Sequence, residues 1–417
     1  MGKIIVNGGT SLSGVVSVHG AKNAVLPILA ATVMVEGVHT IHNCPNFSDV
    51  YTTCEILKSL GAKVTREGSN LVIDTRGEMG SVIPEELMRK LRSSVIFMGA
   101  VLARNNFAKI STPGGCELGP RPIDLHLKTL SQLGADICEK NGYLICKTKG
   151  LTGKTIHLDF PSVGATENIM LAAVCASGET IITNAAREPE ICDLAQFLNN
   201  MGAVVLGAGT STIKIVGKKD LKPAEYSVMP DRIVAATYLC AAAATGGEIT
   251  VTDIVPDHIS AVLSVLEDCG CKISVDVKSV HLCAPSKLLA PDGIKTMPYP
   301  GFPTDAQSLF LAMLCTASGT SIITETIFES RFKPAAELRR MGAKISLDGR
   351  VAVVCGVDKL SGTKVFASDL RGGASLVIAA LAAEGTTEIY TPEFIDRGYE
   401  NFEENLKMLG ADIVRIR

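Results

Sequence analysis

Six copies of one short motif organise this 417-residue chain. Each copy is a helix-like stretch that ends in glycine and continues into a short β-branched strand, as in "ILKSLGAKV", "TLSQLGADI", "FLNNMGAVV", "VLEDCGCKI", "ELRRMGAKI" and "NLKMLGADI". The glycines that end the copies are 68 to 73 residues apart and lie at Gly61, Gly134, Gly202, Gly270, Gly342 and Gly410. A sequence period of this length indicates an architecture of repeated supersecondary units.

Every copy predicts the same local structure. Its apolar residues recur at helical spacing, and the glycine is expected to adopt the left-handed conformation that ends a helix. Hairpin-like stretches such as "EKNGYLICKTKGLTG" and "LDGRVAVVCGVDKLSG" follow, and then a second, small-residue helix that ends at sequences such as "ASGETIITN". A unit of about 70 residues buries its own faces poorly, so several units must pack around a common core.

The two ends of the chain complement one another. The sixth copy stops at "GADIVRIR" without a hairpin, and the N-terminal "KIIVNGGTSLSG" resembles the hairpin segment "YLICKTKGLTG". We therefore expect the first residues to complete the last repeat. This predicts two domains of three repeats each, one over residues 20–229 and one over residues 1–19 and 230–417, joined by two chain crossings that form a hinge.

The composition excludes several classes of protein. The formal net charge is −3 and there is no basic run, so no electrostatic footprint for nucleic acid is expected. The apolar stretches end near ten residues, whereas a membrane-spanning helix needs about 20. The N-terminus lacks the apolar region of a signal peptide, which predicts a cytoplasmic protein. Thirteen cysteines without a C-x-x-C pair, and histidines without an H-E-x-x-H pattern, favour neither disulfides nor a metal site.

One cysteine has an unusual setting. In "STPGGCELGPRPIDLH", Cys116 follows Pro113, Gly114 and Gly115 and precedes Arg121. Buried cysteines usually behave as small hydrophobes on helices and strands, so a thiol on a stiff glycine-proline loop is interpreted as displayed for chemistry. The other twelve cysteines occur mostly in apolar helix or strand contexts and are predicted to belong to the core.

The repeats and a set of motifs together resemble the enolpyruvyl transferases along essentially the whole chain. The motifs are "GAKNAVLPILAA", "LRSS", "PGGCELGPRPIDLH", "PSVGATEN", "NAAREPEI", "PDRI", "FPTDAQ", "TETIFESRF", "SDLRGGASL" and "DRGYE". The resemblance implies an α/β fold of two inside-out domains. It also implies transfer of enolpyruvate from phosphoenolpyruvate to the 3-hydroxyl of UDP-N-acetylglucosamine, the first committed step of bacterial peptidoglycan synthesis. It implies no cofactor and no metal.

By this resemblance, phosphoenolpyruvate is bound by Lys22, Asn23, Cys116, Arg121 and Arg397. A cation at the start of an apolar helix can join the free N–H groups there in holding a phosphate or carboxylate. The planar guanidinium of arginine pairs with both groups in a bidentate manner. The implied catalytic residues are Cys116, Lys22, Asp305 and Arg397.

The resemblance also implies a set of contacts to UDP-N-acetylglucosamine. In that set Asp305 orients the acceptor hydroxyl and accepts its proton. From the residues alone, Asp305 could instead cap the helix "AQSLFLAML", or Thr304 could provide that cap. Arg331, Asp369 and Arg371 are expected to support the same cleft. The nucleotide-sugar set is Asn23, Arg92, Arg121, Pro122, Ile123, Asp124, Leu125, Ser162, Val163, Gly164, Asp305 and Ile327.

For Cys116 the resemblance implies a lid that carries the thiol onto the substrate. The matching cysteine of the family acts as the acid near C3 of phosphoenolpyruvate or aids product release, and it is alkylated by fosfomycin. A free thiol has a pKa of about 8.5 and can donate a proton at neutral pH. Arg121 nearby would favour the thiolate, and the residues alone do not decide whether Cys116 is a thiol or a thiolate.

Two positions depart from the pattern, since some relatives carry lysine where this chain has Ser48 and Phe160. Three other functions fit the sequence less well. The sister enzyme 5-enolpyruvylshikimate-3-phosphate synthase lacks the cysteine loop and begins with "DKS" where this chain has "AKN". A non-catalytic paralogue that binds a nucleotide sugar would be expected to lose Cys116, Lys22, Asp305 or Arg397, and all four are present. An RNA 3′-terminal phosphate cyclase would need an adenylation histidine motif that is missing.

Overall fold

A computed structural model describes residues 2–111 and 123–416. The described residues form an α/β fold, which confirms the predicted fold class. Within them the thirteen α-helices are α1 Lys22–Ala31, α2 Ser48–Ser59, α3 Glu85–Lys90, α4 Phe97–Asn105, α5 Asp124–Gln132, α6 Val163–Ala173, α7 Pro189–Asn200, α8 Arg232–Ala244, α9 Ser260–Asp268, α10 Thr304–Met313, α11 Pro334–Arg340, α12 Leu370–Ala382 and α13 Phe402–Met408. Short 3₁₀ helices span Thr32–Met34, Arg92–Ile96, Pro256–Ile259, Leu314–Thr316 and Pro392–Arg397.

Short strands connect these helices. In the same described ranges they are β1 Lys3–Asn7, β2 Ser13–Ser17, β3 Val38–His42, β4 Lys63–Glu67, β5 Asn70–Asp74, β6 Phe107–Ser111, β7 Asp136–Lys140, β8 Tyr143–Lys147, β9 Thr155–His157, β10 Glu179–Thr183, β11 Val204–Leu206, β12 Thr212–Val216, β13 Glu225–Ser227, β14 Glu248–Thr252, β15 Lys272–Asp276, β16 Ser279–Cys283, β17 Ile294–Lys295, β18 Thr320–Thr324, β19 Lys344–Asp348, β20 Val351–Cys355, β21 Lys364–Phe366, β22 Thr386–Tyr390 and β23 Asp412–Ile416.

The described residues divide into two compact units. The first unit contains residues 20–111 and 123–229, and the second contains residues 2–19 and 230–416. Within the described ranges the chain passes between the units twice, after His19 and after Met229. Each unit has its own hydrophobic core.

Three helices rich in small apolar residues lie at the centre of each unit. They are α1, α4 and α6 in the first unit and α8, α10 and α12 in the second, and most of their side chains are buried. A helix such as α8, "RIVAATYLCAAAA", is apolar all round, and such a helix is stable only when it is enclosed on every side. The helices therefore form the interior of each unit, and the sheets cover them.

Each unit has three sheets among its described residues. The first unit contains the sheets β13-β3-β5-β4, β6-β8-β7 and β11-β12-β10-β9, and the second contains β15-β16-β14-β2, β17-β18-β20-β19 and β21-β22-β1-β23. Burial alternates along strands such as β5 and β20, because one face packs on the helices and the other faces water. Strand β1 pairs antiparallel with both β22 and β23, and Lys3 lies opposite Tyr390 and Ile416.

The six repeated glycines end helices in the same way. All six have φ between 90° and 106°, which confirms the predicted left-handed conformation. In the first copy the N–H of Gly61 bonds to the carbonyl of Lys58, and the N–H of Ala62 bonds to that of Leu57. This is the Schellman arrangement, and the other five copies repeat both hydrogen bonds. A side chain at these positions would be strained, so the sequence uses glycine at each one.

The cysteine prediction is correct for most of the described thiols. Of the twelve described cysteines seven are buried, whereas Cys138 and Cys355 are exposed, so the core prediction is wrong for these two. Both lie on strands of antiparallel hairpins, on the face that the helices do not cover. No helix among the described residues is both long enough and apolar enough to cross a membrane.

Candidate active site

A carboxylate held between two buried arginines is the centre of the candidate site in the second unit. Oδ1 of Asp305 lies 2.6 Å from Nη2 of Arg331, and Oδ2 lies 3.2 Å from Nη2 of Arg371. Both arginine side chains are almost fully buried, whereas a quarter of the Asp305 side chain is exposed. The carboxylate can therefore meet a substrate while the arginines fix both of its oxygens from behind.

Three separate segments bring these groups together. Asp305 is the second residue of α10, Arg331 lies in the turn before α11, and Arg371 is the second residue of α12. Asp369 caps α12, because its Oδ1 accepts hydrogen bonds from the backbone N–H groups of Arg371 and Gly372 at 3.1 and 2.9 Å. This cap fixes the start of α12 and with it the backbone that carries Arg371.

Arg371 has an unusual environment for a buried cation. Its guanidinium carbon lies 5.4 Å from the ring centroid of Tyr399, and the Tyr399 hydroxyl is 2.8 Å from Oγ1 of Thr237. Burial by itself would lower the pKa of Arg371, but Tyr399, Asp305 and Asp231 together hold that pKa above its ordinary value. Arg371 is therefore a permanent positive charge, with Asp305 as its ionic partner among the described residues.

A second buried carboxylate, Glu325, links the start of α10 to the segment that contains Ile327. Its Oε2 accepts a hydrogen bond from Oγ1 of Thr304 at 2.9 Å, and its Oε1 accepts one from the N–H of Ile327 at 2.7 Å. The N-cap of α10 is Pro303, and no side chain caps this helix. The alternatives in which Thr304 or Asp305 caps α10 are therefore wrong, because both side chains bond to other segments.

Arg397 belongs to the same unit. It is the last residue of the 3₁₀ helix Pro392–Arg397, which packs against α12. Its side chain is half-buried. The structure thus places Asp305, Arg331 and Arg371 in direct contact, and the elements that carry Ile327 and Arg397 pack beside them.

In the first unit Lys22 is the first residue of α1 and is buried. Its Nζ lies 2.6 Å from Oδ2 of Asp49, near the start of α2, and both side chains are at least 90% buried. Asn23 follows in the first turn of α1. An ion pair of this kind keeps the lysine charged in a low-dielectric setting and fixes the direction of its side chain.

The predicted nucleotide contacts of the first unit meet at the start of α6. Ser162 caps this helix, and its Oγ accepts the N–H of Ala165 at 3.3 Å. A Cβ on Gly164 would lie only 2.9 Å from Cε1 of His126, so glycine is required for the histidine ring to pack here. His126 is on α5, directly after Leu125, and this contact joins Ile123–Leu125 to Ser162–Gly164.

The orientation of His126 is fixed by Asn168. Oδ1 of Asn168 accepts the N–H of Gly99 at 2.8 Å, so its Nδ2 must be the group that lies 2.7 Å from Nδ1 of His126. Nδ2 of Asn168 also donates to the carbonyl of Val95 at 3.0 Å. Because Nδ1 of His126 accepts a hydrogen bond, the proton of the neutral ring is on Nε2, the nitrogen beside Gly164.

The two departures from the family pattern lie on the surface of the first unit. Phe160 is 43% exposed, and its carbonyl accepts the N–H of Ser162 at 2.7 Å in a tight turn. Beside it Lys128 and Asp159 form an exposed ion pair of 2.6 Å. Ser48 is exposed at the first position of α2. An aromatic ring therefore stands next to the predicted nucleotide contacts, and Lys128 supplies a positive charge nearby.

Four of the predicted groups cannot be placed. Cys116, Arg121 and Pro122 lie outside the described residues, and so does the side chain of Arg92, whose backbone begins the 3₁₀ helix Arg92–Ile96. Among the residues that are described, no group of three or more histidine, cysteine or acidic side chains is arranged to hold a metal ion.

Several residues of the site were not identified from the sequence. The sequence pattern does not predict His126, Glu325 or Tyr399, although each lies inside one of the family motifs, "PGGCELGPRPIDLH", "TETIFESRF" and "DRGYE". The polar or aromatic character of each within those motifs was the available signal. Asn168 ends the motif "PSVGATEN" and offers the same signal, whereas Asp49 carries none, because its role depends on a contact with Lys22, which is distant in the sequence.

Known proteins resemble this chain along its length. The profile of the family EPSP synthase (3-phosphoshikimate 1-carboxyvinyltransferase) matches residues 6–406. UDP-N-acetylglucosamine 1-carboxyvinyltransferase 2 of Caldanaerobacter subterraneus subsp. tengcongensis is 56% identical over 416 residues, all of both chains. The protein of that name from Carboxydothermus hydrogenoformans is 50% identical over 417 residues, again all of both chains.

Two solved structures share the fold of this chain. The enolpyruvyl transferase NikO from Streptomyces tendae superposes with a TM-score of 0.90 at 25% identity, covering 99% of this chain and 98% of that one. EPSP synthase from Acinetobacter baumannii shares the fold, with a TM-score of 0.77 at 18% identity over the whole of both chains. The chain therefore belongs to the enolpyruvyl transferase family, to which EPSP synthase and the UDP-N-acetylglucosamine 1-carboxyvinyltransferases also belong.

Proposed function

We propose that this protein transfers the enolpyruvyl group of phosphoenolpyruvate to the 3-hydroxyl of UDP-N-acetylglucosamine and releases phosphate. The main observation in support is the Asp305 carboxylate, which is held by Arg331 and Arg371 with a quarter of its side chain exposed. Full-length relatives that are 50–56% identical carry the name UDP-N-acetylglucosamine 1-carboxyvinyltransferase, which supports this function over that of the sister synthase.

In the first step the 3-hydroxyl oxygen of the sugar attacks C2 of phosphoenolpyruvate while Asp305 takes the hydroxyl proton. The thiol of Cys116 gives its proton to C3, which becomes a methyl group, and the product is a tetrahedral adduct. In the second step the bond from C2 to the phosphate oxygen breaks, and the proton that Asp305 took passes to the departing phosphate, which restores the carboxylate. A methyl proton returns to the Cys116 thiolate, and the C2–C3 double bond forms again.

Arg331 and Arg371 keep both oxygens of Asp305 aligned, so the base reaches the hydroxyl without rearrangement. Lys22, Asn23, Arg121 and Arg397 hold the carboxylate and phosphate of phosphoenolpyruvate and stabilise the charge of the departing phosphate. These roles need cations and hydrogen-bond donors only, and the reaction as written requires no redox cofactor.

The residues assigned to the nucleotide sugar fall into two sets, one in each unit. In the first unit, Ile123–Leu125 and Ser162–Gly164 meet at the start of α6, where backbone N–H groups favour an anion such as the diphosphate. In the second unit the N–H of Ile327 already donates to Glu325. Its contact to the sugar is therefore made through the carbonyl oxygen, which accepts a hydrogen bond from the substrate.

The test is phosphate release from phosphoenolpyruvate in the presence of UDP-N-acetylglucosamine, with identification of the enolpyruvyl ether by mass spectrometry. A parallel reaction contains shikimate 3-phosphate as the acceptor, and Asp305→Asn serves as the inactive control. The proposal predicts that product forms when UDP-N-acetylglucosamine is the acceptor and does not form when shikimate 3-phosphate is the acceptor. Turnover with shikimate 3-phosphate, or no turnover with either acceptor, would overturn it.

A further inference from the structure

Glu325 has no part in the chemistry proposed above, yet it is one of the most highly bonded side chains of the second unit. The residue is 1% exposed. Its Oε1 accepts hydrogen bonds from Oγ1 of Thr296 at 2.9 Å and from the N–H groups of Ile327 and Phe328 at 2.7 and 3.1 Å. Its Oε2 accepts one from Oγ1 of Thr304 at 2.9 Å. Among the described residues no lysine, arginine or histidine forms a salt bridge with it.

A buried carboxylate without a cation is costly unless hydrogen bonds replace its hydration. Four donors meet that requirement here, and all four converge on the two oxygens of one side chain. A carboxylate only accepts hydrogen bonds, so it suits a position surrounded by hydroxyl and N–H donors. The amide of glutamine would place its own donor against one of these donors, although its size is nearly the same.

The four hydrogen bonds form two arms that lead to different parts of the site. The Oε2 arm ends at Thr304, the first residue of α10, which is directly followed by Asp305. The Oε1 arm ends at Ile327 and Phe328, and the Phe328 ring lies 5.5 Å from the guanidinium carbon of Arg331. One side chain thus sets the distance between the segment with the base and the segment with the sugar contact.

We propose that Glu325 is a positioning residue for the acceptor sugar, and this inference rests on the proposed function. The Oε2 arm aims Asp305 at the hydroxyl, and the Oε1 arm holds the Ile327 carbonyl and Arg331 in place. The two arms act on different kinetic constants. Loss of the Oε2 arm misaligns the base and lowers kcat, whereas loss of the Oε1 arm moves a binding contact and raises the KM for the sugar nucleotide.

The experiment compares Thr304→Val, Thr304→Ser and Glu325→Gln in steady-state kinetics with both substrates. Valine has the shape of threonine without its hydroxyl, so Thr304→Val is expected to lower kcat by about 10- to 100-fold. Its KM for UDP-N-acetylglucosamine stays within about threefold of the wild-type value. Thr304→Ser keeps the hydroxyl and is expected to restore kcat to within about threefold of wild type, a rescue that a general packing defect would not show.

Glu325→Gln affects both arms. It is expected to lower kcat. It is also expected to raise the KM for UDP-N-acetylglucosamine by about tenfold, which corresponds to the loss of one or two good hydrogen bonds. The KM for phosphoenolpyruvate stays within about twofold, because the Glu325 arms do not lead to the residues assigned to that substrate. Titration calorimetry with UDP-N-acetylglucosamine alone checks the binding loss independently of turnover.

A matched control variant distinguishes an effect on the positions of the site residues from a general loss of protein stability. Thr32→Val also removes a buried hydroxyl, one that donates to the carbonyl of Leu29 at the end of α1. This variant is expected to lower the thermal stability without changing kcat or either KM. The positioning role is overturned if Thr304→Val and Glu325→Gln behave like Thr32→Val. If wild type itself does not turn over these substrates, the proposed function fails first, and the two failures are therefore distinct.

Discussion

Asp305→Asn is expected to damage both the stability and the activity of the protein, for separable reasons. The carboxylate neutralises two guanidinium groups whose side chains are 2% and 3% exposed. Removal of one partner from a buried ion pair costs about 3–5 kcal/mol. Because a quarter of the Asp305 side chain is exposed and is screened by water, the lower end, about 3 kcal/mol, is the better estimate.

The assay for this stability loss is thermal unfolding followed by calorimetry. For a unit of about 200 residues, 1 kcal/mol shifts the Tm by about 2–4 °C, so the variant is expected to unfold about 6–12 °C lower than wild type. The double variant Asp305→Asn/Arg331→Met removes one of the two uncompensated cations. It is expected to recover a large part of the lost Tm, since the unpaired buried charge is the main source of the destabilisation.

The turnover of the two variants is not expected to follow their stability. Asparagine cannot take a proton, so kcat falls by about 10²- to 10⁴-fold in the single variant. The double variant regains stability but not turnover. An unchanged Tm in Asp305→Asn would refute the electrostatic role of the carboxylate, and near-normal kcat in folded Asp305→Asn would refute its role as the base.

Three further predictions concern other parts of the chain. Gly164→Ala places a Cβ 2.9 Å from Cε1 of His126, so denaturant unfolding should show a loss of about 1–3 kcal/mol in the free energy of unfolding. The KM for UDP-N-acetylglucosamine should also rise. His126→Ala in the same background removes the clash and should restore the stability. Burial raises the pKa of Asp193 to about 6, so its stabilising contribution is present below its unfolded pKa near 4 and is lost as the pH rises through 6. Asp193→Asn should therefore gain about 3 kcal/mol of stability relative to wild type between pH 4 and pH 8 in denaturant titrations, and a flat difference would contradict the shifted pKa. Cys116→Ser should lose most turnover, whereas Cys116→Asp should keep substantial activity with a lower pH optimum. Both variants should resist fosfomycin. If the serine variant is fully active and the aspartate variant is damaged, the role of the thiol is purely structural.

The local structure of the chain could be predicted well from its sequence. Helix ends at glycines such as Gly61 depend only on the nearby backbone, and the structure has the predicted conformation at all six. The hairpin in "EKNGYLIC" forms around Asn141 and Gly142, both with positive φ, as an Asn-Gly turn favours. In these cases the energetic preference is contained within a few neighbouring residues.

The contacts of the site could not be predicted in the same way. Asp305 bonds to Arg331 and Arg371, which are 26 and 66 residues away in the sequence. Thr304 is a good residue type for a helix cap, but the helix begins at Thr304 itself, so Pro303 has the cap position and the Thr304 hydroxyl donates to Glu325 from another segment. Local propensity determines a side chain only where tertiary structure offers no stronger partner.

Strand β1 has a consequence for the way the protein is made. This strand is synthesised before the first unit, but its two neighbours in the sheet, β22 and β23, are synthesised after that unit. On the ribosome the first unit can be completed soon after residue 229 emerges, whereas the sheet containing β1 must wait until β23 emerges. Lys3 lies opposite Ile416 in the pairing of β1 with β23, so a short linker could join the end of β23 to the start of β1. A rearranged chain in which the segment with β1 follows β23 through such a linker would keep all three strands in close succession and shorten that wait.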